Sequence, residues 1–521
     1  MDVILRISTQ AVNGLRNWRM IMTWMRRASS VRWVLSMSVV AMVVSTGCAV
    51  NPVSGVPELA LISAEQEKRI GSEEAKKVEQ QMGLLDDSRF VPYLNQLGQR
   101  LAEQSPRKDV TYQFHLVDMN EPNAFALPGG YIYVSRGLLA LTNSEDELAG
   151  VVGHEIGHVA ARHSVQKISK QGPFAELFGI VSGITGLVSP LVGNIVGGIW
   201  DFAPSLVFSP YSRSQETQAD KVGQEMAAKA GWDPAALSTF LNTLGREVDL
   251  MSKEPRKPSF FDSHPATPDR VAKTAEHAKE LAPVNRAPIS PTREAFLARL
   301  DGLVVGQRAA NGIVEKHAFL HPDFNFFLQF PEKWQVENSP QKIVAGAPDG
   351  AAAVVVGAAA EGNDPFDGAR AVEKATKSSD IVSKTKSVTI GGLPAAHTQV
   401  EADGRVKLDI TWIAYGGLIY QLAGIAPIKH FEELQPVFHS VAHSFRPLTA
   451  SERANINEKR IRLVKARAGE TIEALAGRAH SSWKIEEVAV ANGLVSTDSL
   501  REGQVLKIAI EEPYESKETR R

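Results

Sequence analysis

Hydrophobic and polar positions divide the first part of the chain into helical and strand-like stretches. From residue 51 to about residue 104, apolar residues recur at helical spacing, and Ser63 and Gln66 are placed as in a capping box. Tyr112–Val117 alternates between apolar and polar residues and predicts a strand. A second strand, Tyr131–Val134, follows the turn residues Pro128–Gly130. Its edge could be open to pairing with an extended peptide, and a plain structural hairpin is the alternative. The pattern therefore predicts helices around a small sheet.

The second half of the chain has a different pattern. Residues 317–448 alternate strand-like with helical segments and predict an α+β domain without a cluster of metal ligands or nucleophiles. Residues 455–510 read as strand, helix, helix, strand, and residues 511–521 are a charged tail. Prolines after residue 282 mark a boundary, and residues 286–316 are interpreted as a linker.

One predicted helix, which begins at Ser144–Glu147, carries the motif His-Glu-x-x-His. His154 and His158 are four residues apart, so both imidazoles can face one metal ion from the same side of the helix. Glu155 could take a proton from a water bound to that ion. The alternative is a surface helix whose two histidines contact nothing.

Composition and charge narrow the function classes. The 521 residues predict about three domains, and 43% hydrophobic with 22% charged residues is typical of globular proteins. A formal net charge of -2 argues against a nucleic-acid binder. The single cysteine, Cys48, excludes an intramolecular disulfide and a cysteine-based zinc site. A metal ion would therefore be bound by His, Asp or Glu.

The N-terminal stretch predicts a targeting segment. Residues 34–44 are apolar and follow arginines, so residues 1–47 are expected to be a signal peptide, with Met25 as its real start. Residues 45–48 resemble the lipobox of bacterial lipoproteins, in which the cysteine is lipidated, here Cys48. Ala49 is typical of lipoproteins sent to the outer membrane. An ordinary secretory signal is the alternative.

Residues 174–208 form a Gly-rich, apolar stretch. Pro190 and Asn194 divide it into pieces shorter than a membrane span, which favours packed short helices with membrane-surface contact. A membrane hairpin is the alternative.

Two later stretches offer further polar groups for a metal site. Glu216 and Asp220 are four residues apart on a predicted helix and could supply a ligand and a carboxylate that orients an imidazole. A solvated acidic face is the alternative. His264, which precedes Pro265, could donate a hydrogen bond to a developing oxyanion, although such a histidine is more often a loop residue.

Together these motifs resemble the M48 family of zinc metallopeptidases, in its periplasmic lipoprotein branch. The resemblance covers about residues 51–277 and implies a mainly α-helical gluzincin protease domain with a small sheet, here residues 48–285. It implies one Zn²⁺ bound by His154, His158 and Glu216, with Glu155 as the general base. It also implies that His264 is a stabiliser of the oxyanion, together with Arg270, or an alternative metal ligand, and that Asp220 orients an imidazole. The substrate backbone would pair with the strand Tyr131, Ile132, Tyr133 and Val134.

Residues 455–510 resemble a LysM domain, a family that binds glycans such as peptidoglycan. The resemblance rests on Ala468–Ile472, Asn492–Leu494 and Glu502–Ile508. A βααβ module with a structural role only is the alternative.

These patterns predict a multidomain zinc endopeptidase of the Gram-negative periplasm, with the lipid on Cys48 holding it at the outer membrane. Its substrates would be misfolded or misassembled envelope proteins, with no nucleic-acid partner. The alternative function is a cell-wall-binding assembly factor in which proteolysis is incidental. Intact Glu155 favours the protease, because a scaffold needs no general base.

Overall fold

A computed structural model describes residues 48–59, 62–171, 210–251, 259–378 and 380–516. The predicted signal peptide and the apolar stretch 174–208 lie outside these residues. Among the described residues, no helix is both long enough and apolar enough to cross a membrane.

The first region is mainly helical. Its helices are α1 (Ala64–Met82), α2 (Phe90–Ala102), α3 (Arg136–Leu141), α4 (Glu145–Ala160), α5 (His163–Gln171), α6 (Arg213–Ala230), α7 (Ala236–Met251), α8 (Phe260–Ser263) and α9 (Pro268–Ala278). Ser63 and Gln66 form the capping box of α1 as the sequence predicts. Two short strands, β1 (Cys48–Val50) and β2 (Pro57–Leu59), pair antiparallel before α1.

A three-stranded sheet packs against these helices. Its strands are β3 (Gln113–Val117), β4 (Ala124–Leu127) and β5 (Tyr131–Ser135), in the spatial order β3, β5, β4. β5 is parallel to β3 and antiparallel to β4. Strand β5 therefore has a neighbour on each side.

The helices α4 and α6 cross at unusually small separation. A Cβ atom placed on Gly223 of α6 would lie 2.7 Å from the backbone nitrogen of His154 in α4. A Cβ on Gly157 would lie 2.8 Å from the carbonyl oxygen of Ala219. Only glycine permits such an approach, so these positions bring the two motif-bearing helices together.

The central region is an α+β fold, as the sequence predicts. A seven-stranded antiparallel sheet has the order β10, β11, β12, β16, β15, β14, β13. Its strands are β10 (Gln335–Asn338), β11 (Lys342–Gly346), β12 (Ala353–Glu361), β13 (Lys386–Ile390), β14 (Leu393–Ala402), β15 (Val406–Tyr415) and β16 (Leu418–Pro427). The helices are α11 (Phe366–Thr376), α12 (Ile381–Lys384) and α13 (Ile428–His443), and α11 and α13 pack on opposite faces of the sheet. A smaller sheet contains β7 (Ile313–Glu315), β8 (Ala318–His321), β9 (Phe326–Gln329) and β17 (Arg446–Pro447).

The last unit has the predicted βααβ order. After the short helix α14 (Ala450–Ala454), it consists of β18 (Asn457–Lys465), α15 (Ile472–Arg478), α16 (Ile485–Ala491) and β19 (Val505–Pro513). β18 and β19 pair antiparallel, and β18 also pairs with β6 (Val304–Val305). The segment predicted as a linker, 286–316, contains α10 (Arg293–Leu300) and β6, and buries Phe296 in the core of the first region.

Candidate metal centre

Helix α4 places the two predicted histidine ligands side by side. Ser144 caps the helix, and its first turn is acidic, which suits the positive end of the helix dipole. The Nε2 atoms of His154 and His158 lie 2.9 Å apart. Both side chains are completely buried, so the two histidines are not surface residues that contact nothing.

Helix α6 brings both predicted carboxylates to the same point. Glu216 Oε1 lies 3.3 Å from His158 Nε2, and Glu216 Oε2 lies 3.7 Å from His154 Nε2. Asp220 Oδ1 lies 2.9 Å from His154 Nδ1. A proton on Nδ1 that is donated to Asp220 leaves the Nε2 lone pair of His154 directed at the cluster. Neither carboxylate lies on a solvated face.

His264 lies at the end of α8 and joins this cluster. Its ring stacks on Phe260 at a centroid distance of 4.3 Å. Its Nδ1 lies 3.0 Å from Glu216 Oε1 and 3.1 Å from His154 Nε2. The structure thus places His264 with His154, His158 and Glu216, a group that could hold a metal ion.

Arg270, from α9, contacts the carboxylates of the cluster. Its guanidinium donates hydrogen bonds to Asp220 at 2.7 and 2.8 Å, and its Nη1 lies 2.7 Å from Glu216 Oε2. Two carboxylates therefore hold the side chain that the family resemblance places at the oxyanion. In this structure its contacts are those of a positioning residue.

Glu155 has a different environment. Its carboxylate oxygens are buried, and neither has a hydrogen-bond partner in the described part of the chain. His264 Nε2 lies 3.6 Å from Glu155 Oε1, beyond hydrogen-bond distance. Burial raises the pKa of Glu155, although His264 and His154 oppose the rise.

The ligand candidates differ from Glu155 in their electrostatics. Burial alone would raise the pKa of Glu216, but His264 and Arg270 outweigh it and hold this pKa well below its usual range. Burial lowers the pKa of His158, and the neighbouring His154 lowers it further. For Glu216 and His158, an ionised carboxylate beside a neutral imidazole is the protonation state that metal coordination requires. Burial opposes the charged form of His154, but the hydrogen bond to Asp220 outweighs it and raises the pKa of His154.

Several residues around the centre have no recognisable signal in the sequence. His163 Nδ1 lies 2.8 Å from His158 Nδ1, and its Nε2 lies 2.9 Å from Gln218 Oε1. Tyr211 stacks on His158 at 3.9 Å. Asn51 Nδ2 donates to Ala161 O at 3.4 Å, just beyond α4. Unlike His163 and Tyr211, Asn51 had a signal in the sequence, because the resemblance to M48 peptidases begins at about residue 51.

The predicted substrate strand requires a correction. Tyr131, Ile132, Tyr133 and Val134 form β5, which is the middle strand of its sheet. Because β3 and β4 occupy both sides of β5, its backbone has no free edge on which a peptide could pair. The expectation of an open edge at this strand is wrong.

The donor set fits a zinc ion. Two imidazoles and a carboxylate without a thiol match the ligands of catalytic zinc sites. The nitrogens of His154, His158 and His264 also converge on Glu216, an arrangement that a cation stabilises. The unpartnered Glu155 beside them matches a base that acts on a water rather than on a protein group.

Comparisons with known proteins agree with this chemistry. Residues 90–278 match the family model described as Peptidase family M48. The beta-barrel assembly-enhancing protease of Yersinia pestis is 29% identical over 236 residues, which cover 44% of this chain and 48% of the relative. The mitochondrial metalloendopeptidase OMA1 of Schizosaccharomyces pombe is also 29% identical, over 44% of this chain and 66% of the relative. The chain thus spans about half the length of the bacterial relative and two thirds of the yeast one.

Proposed function

The chain carries a domain of peptidase family M48 between residues 90 and 278, and on this premise we propose that the protein is a zinc-dependent endopeptidase of the bacterial cell envelope. One observation supports the activity most strongly. Glu155 is completely buried, lacks a hydrogen-bond partner among the described residues and adjoins a ready set of zinc ligands. A cell-wall assembly factor without proteolysis would have no use for such a carboxylate, because burying it unpaired costs stability.

His154, His158 and Glu216 would hold the zinc ion. Zinc supplies Lewis acidity, which polarises a peptide carbonyl and acidifies a water. Glu155 accepts the proton of the attacking water and passes it to the leaving amine. Its raised pKa favours both steps, because a base whose pKa is closer to neutral also serves as the acid that returns the proton.

The remaining polar residues divide between stabilising and positioning roles. His264 is the oxyanion donor, because its Nε2 faces the Glu155 side of the centre. Asp220 fixes the tautomer of His154 through Nδ1. Arg270 holds Asp220 and Glu216 in place and does not act at the oxyanion.

An extended polypeptide would pair with β4. This strand packs against α4, and among the described strands only β5 pairs with it. Just before β4, the carbonyl of Pro122 accepts a hydrogen bond from the backbone of Phe260, the residue that stacks on His264. Backbone pairing at β4 would recognise extended chains more than particular sequences. That suits misfolded or misassembled envelope proteins as substrates, in line with the name of the bacterial relatives.

Two further features belong to this proposal. A lipid on Cys48 would anchor the chain to the outer membrane from the periplasmic side. Residues 455–510 would bind peptidoglycan as a LysM domain, which their βααβ order supports.

Removal and return of zinc test the proposed activity. We expect casein digestion to stop in chelator-treated protein and to return with added zinc. Glu216→Gln should lower zinc binding at this centre and digestion together, because it removes an anionic ligand. Glu225→Gln, an exposed change on the same helix, is the matched control and should behave like wild type. Digestion that survives full zinc removal would contradict the proposal.

A further inference from the structure

A second group of potential metal ligands lies in the α+β region, which the sequence predicts to have none. His397 of β14, Asp409 of β15 and His439 of α13 offer ligand atoms that all lie within 4.8 Å of one another. Asp409 Oδ1 lies 3.1 Å from His397 Nε2, and Asp409 Oδ2 lies 3.3 Å from His439 Nε2. The three residues come from three different elements, so only the folded sheet brings them together.

A close approach of α13 to the sheet brings these side chains together. His397 and Asp409 lie on the face of the sheet that α13 covers. The neighbour of Asp409 on β16 is Gly424, and a Cβ atom there would lie 2.2 Å from the ring of Phe438. Gly424 therefore allows α13 to approach the sheet closely enough for His439 to reach Asp409.

The buried negative charge of Asp409 favours a bound cation. The Asp409 side chain is 2% exposed, and a buried carboxylate needs compensation. Its partners in the described structure are the two imidazoles and the amide of Gln399, which donates at 3.2 Å. His397 Nε2 is buried and makes no hydrogen bond to the described residues despite its closeness to Asp409. A nitrogen lone pair in that position is suited to a metal ion.

We propose that His397, Asp409 and His439 bind one divalent transition-metal ion of the zinc type. Imidazole and carboxylate ligands suit zinc, and tetrahedral zinc with bonds of about 2.0–2.1 Å separates its ligand atoms by roughly 3.3 Å. The observed separations, 3.1 Å from His397 Nε2 to Oδ1 and 3.3 Å from His439 Nε2 to Oδ2 of Asp409, are close to that spacing, and all three residues offer a ligand atom within 4.8 Å of the others. The side chain of His439 is 41% exposed, so solvent supplies a route for the ion and a fourth ligand. The ion would fasten α13 to β14 and β15, as a site separate from the centre on α4.

Zinc stoichiometry of the full chain tests this site. The protein is stripped with chelator, loaded with zinc, freed of unbound metal by gel filtration and analysed by mass spectrometry. We expect two zinc ions per chain in the wild type and one in His439→Ala. The thermal midpoint should rise with zinc more in the wild type than in this variant, because a ligand that binds only the folded state stabilises it.

A control variant and a second ligand variant distinguish loss of the second zinc site from other effects. His430→Ala changes an exposed histidine of the same helix and should keep two zinc ions. His397→Gln keeps a polar side chain on β14 and should lose one zinc ion per chain. This variant tests the site even if His439→Ala folds poorly. If the centre on α4 bound no zinc, the wild type would hold one zinc ion and His439→Ala would hold none. Failure of the proposed function would therefore be distinguished from failure of the second site. Equal zinc content in wild type, His439→Ala and His397→Gln would overturn the second site.

Discussion

Glu155 and its two acidic neighbours occupy different electrostatic environments within one buried cluster. Arg270 contacts Glu216 and Asp220 at 2.7 Å, whereas Glu155 has only His264 at 3.6 Å. The pKa values of the paired carboxylates are lowered, while burial raises the pKa of Glu155. Such a separation of pKa values is what the proposed holding and proton-transfer roles require.

Asp220→Asn should weaken zinc binding at the centre on α4 by about 10- to 100-fold, because it replaces the charged acceptor beside His154 Nδ1 with a neutral amide, which is a weaker acceptor. The affinity can be measured by competition with a chromophoric chelator. Asp269→Asn, on the exposed face of α9, is the control and should leave the affinity unchanged. An unaltered affinity in Asp220→Asn would show that the negative charge of Asp220 does not support zinc binding by His154.

At the scale of single residues, the sequence predicted the site residues that have a characteristic spacing and missed those that lack one. His154, His158, Glu216 and Asp220 stand four apart on helices, and the structure brings all four together. His163 and Tyr211 contact His158 through the tertiary fold, and no local periodicity marks them. The predicted oxyanion contact of Arg270 came from resemblance, and the observed ion pairs favour a positioning role.

At the scale of elements, the crossing of α4 and α6 determines whether the centre exists. His154 and Glu216 lie on different helices, and their approach depends on glycines at the crossing. A small displacement of one helix would separate the ligands without changing any of them.

Gly223→Ala should lower the free energy of unfolding by about 1–3 kcal/mol, because its methyl group would overlap the backbone of α4. Zinc affinity should fall as well, since α6 carries Glu216. Chemical denaturation and zinc competition measure the two effects.

Gly245→Ala in α7 is the matched control, because its nearest contact would be an ordinary 3.7 Å. It should be neutral or stabilising by up to about 1 kcal/mol, as alanine is the better helix former. If Gly223→Ala behaved like this control, the helix crossing would not be as tight as described.

Element types were predictable where the periodicity was uninterrupted. The stretch Tyr112–Val117 was predicted as a strand, and the bounds of β3 differ from it by one residue. The helical spacing predicted across residues 51–104 is confirmed by α1 and α2 but not between them, where Leu84 bridges to Val117. The position of β5 in the middle of its sheet depends on long-range pairing, which alternation along one strand does not report.

At the scale of the whole molecule, the last unit is packed against the first, mainly helical region. Lys507 of β19 is completely buried and donates hydrogen bonds to the carbonyls of Ala140 and Thr142, at 2.8 and 2.6 Å. Ile461 and Ala509 belong to the same hydrophobic core as α4. Deleting residues 455–510 to test glycan binding would therefore also expose the hydrophobic core of the first region.

The stability contributed by Lys507 should depend on pH. Burial lowers the pKa of Lys507 to about 7 from its ordinary 10.5, although Glu147 opposes the shift. Between these values the unfolded chain binds a proton that the folded chain does not, so stability rises with pH. Relative to Lys507→Met, the wild type should gain up to about 1.4 kcal/mol per pH unit from pH 7 upward.

Urea denaturation at several pH values measures this difference. Lys459→Met, an exposed change on β18, is the control and should show no trend. A pH-independent difference between wild type and Lys507→Met would mean that the folded chain keeps Lys507 protonated.

The arrangement of the regions was the least predictable feature. Prolines near residue 285 suggested a boundary followed by a linker, yet α10 packs into the hydrophobic core of the first region and β6 pairs with β18. Such contacts join residues more than 150 positions apart, and they depend on complementary surfaces that composition does not encode.

The Glu155→Gln variant tests the central claim most directly, with zinc content and casein digestion measured on the same sample. Glutamine keeps the shape of the side chain but cannot accept the proton, so we expect digestion to fall by about 100- to 10,000-fold. Zinc per chain should equal that of the wild type, because Glu155 is not a ligand. Unchanged digestion in Glu155→Gln with its zinc in place would contradict the account.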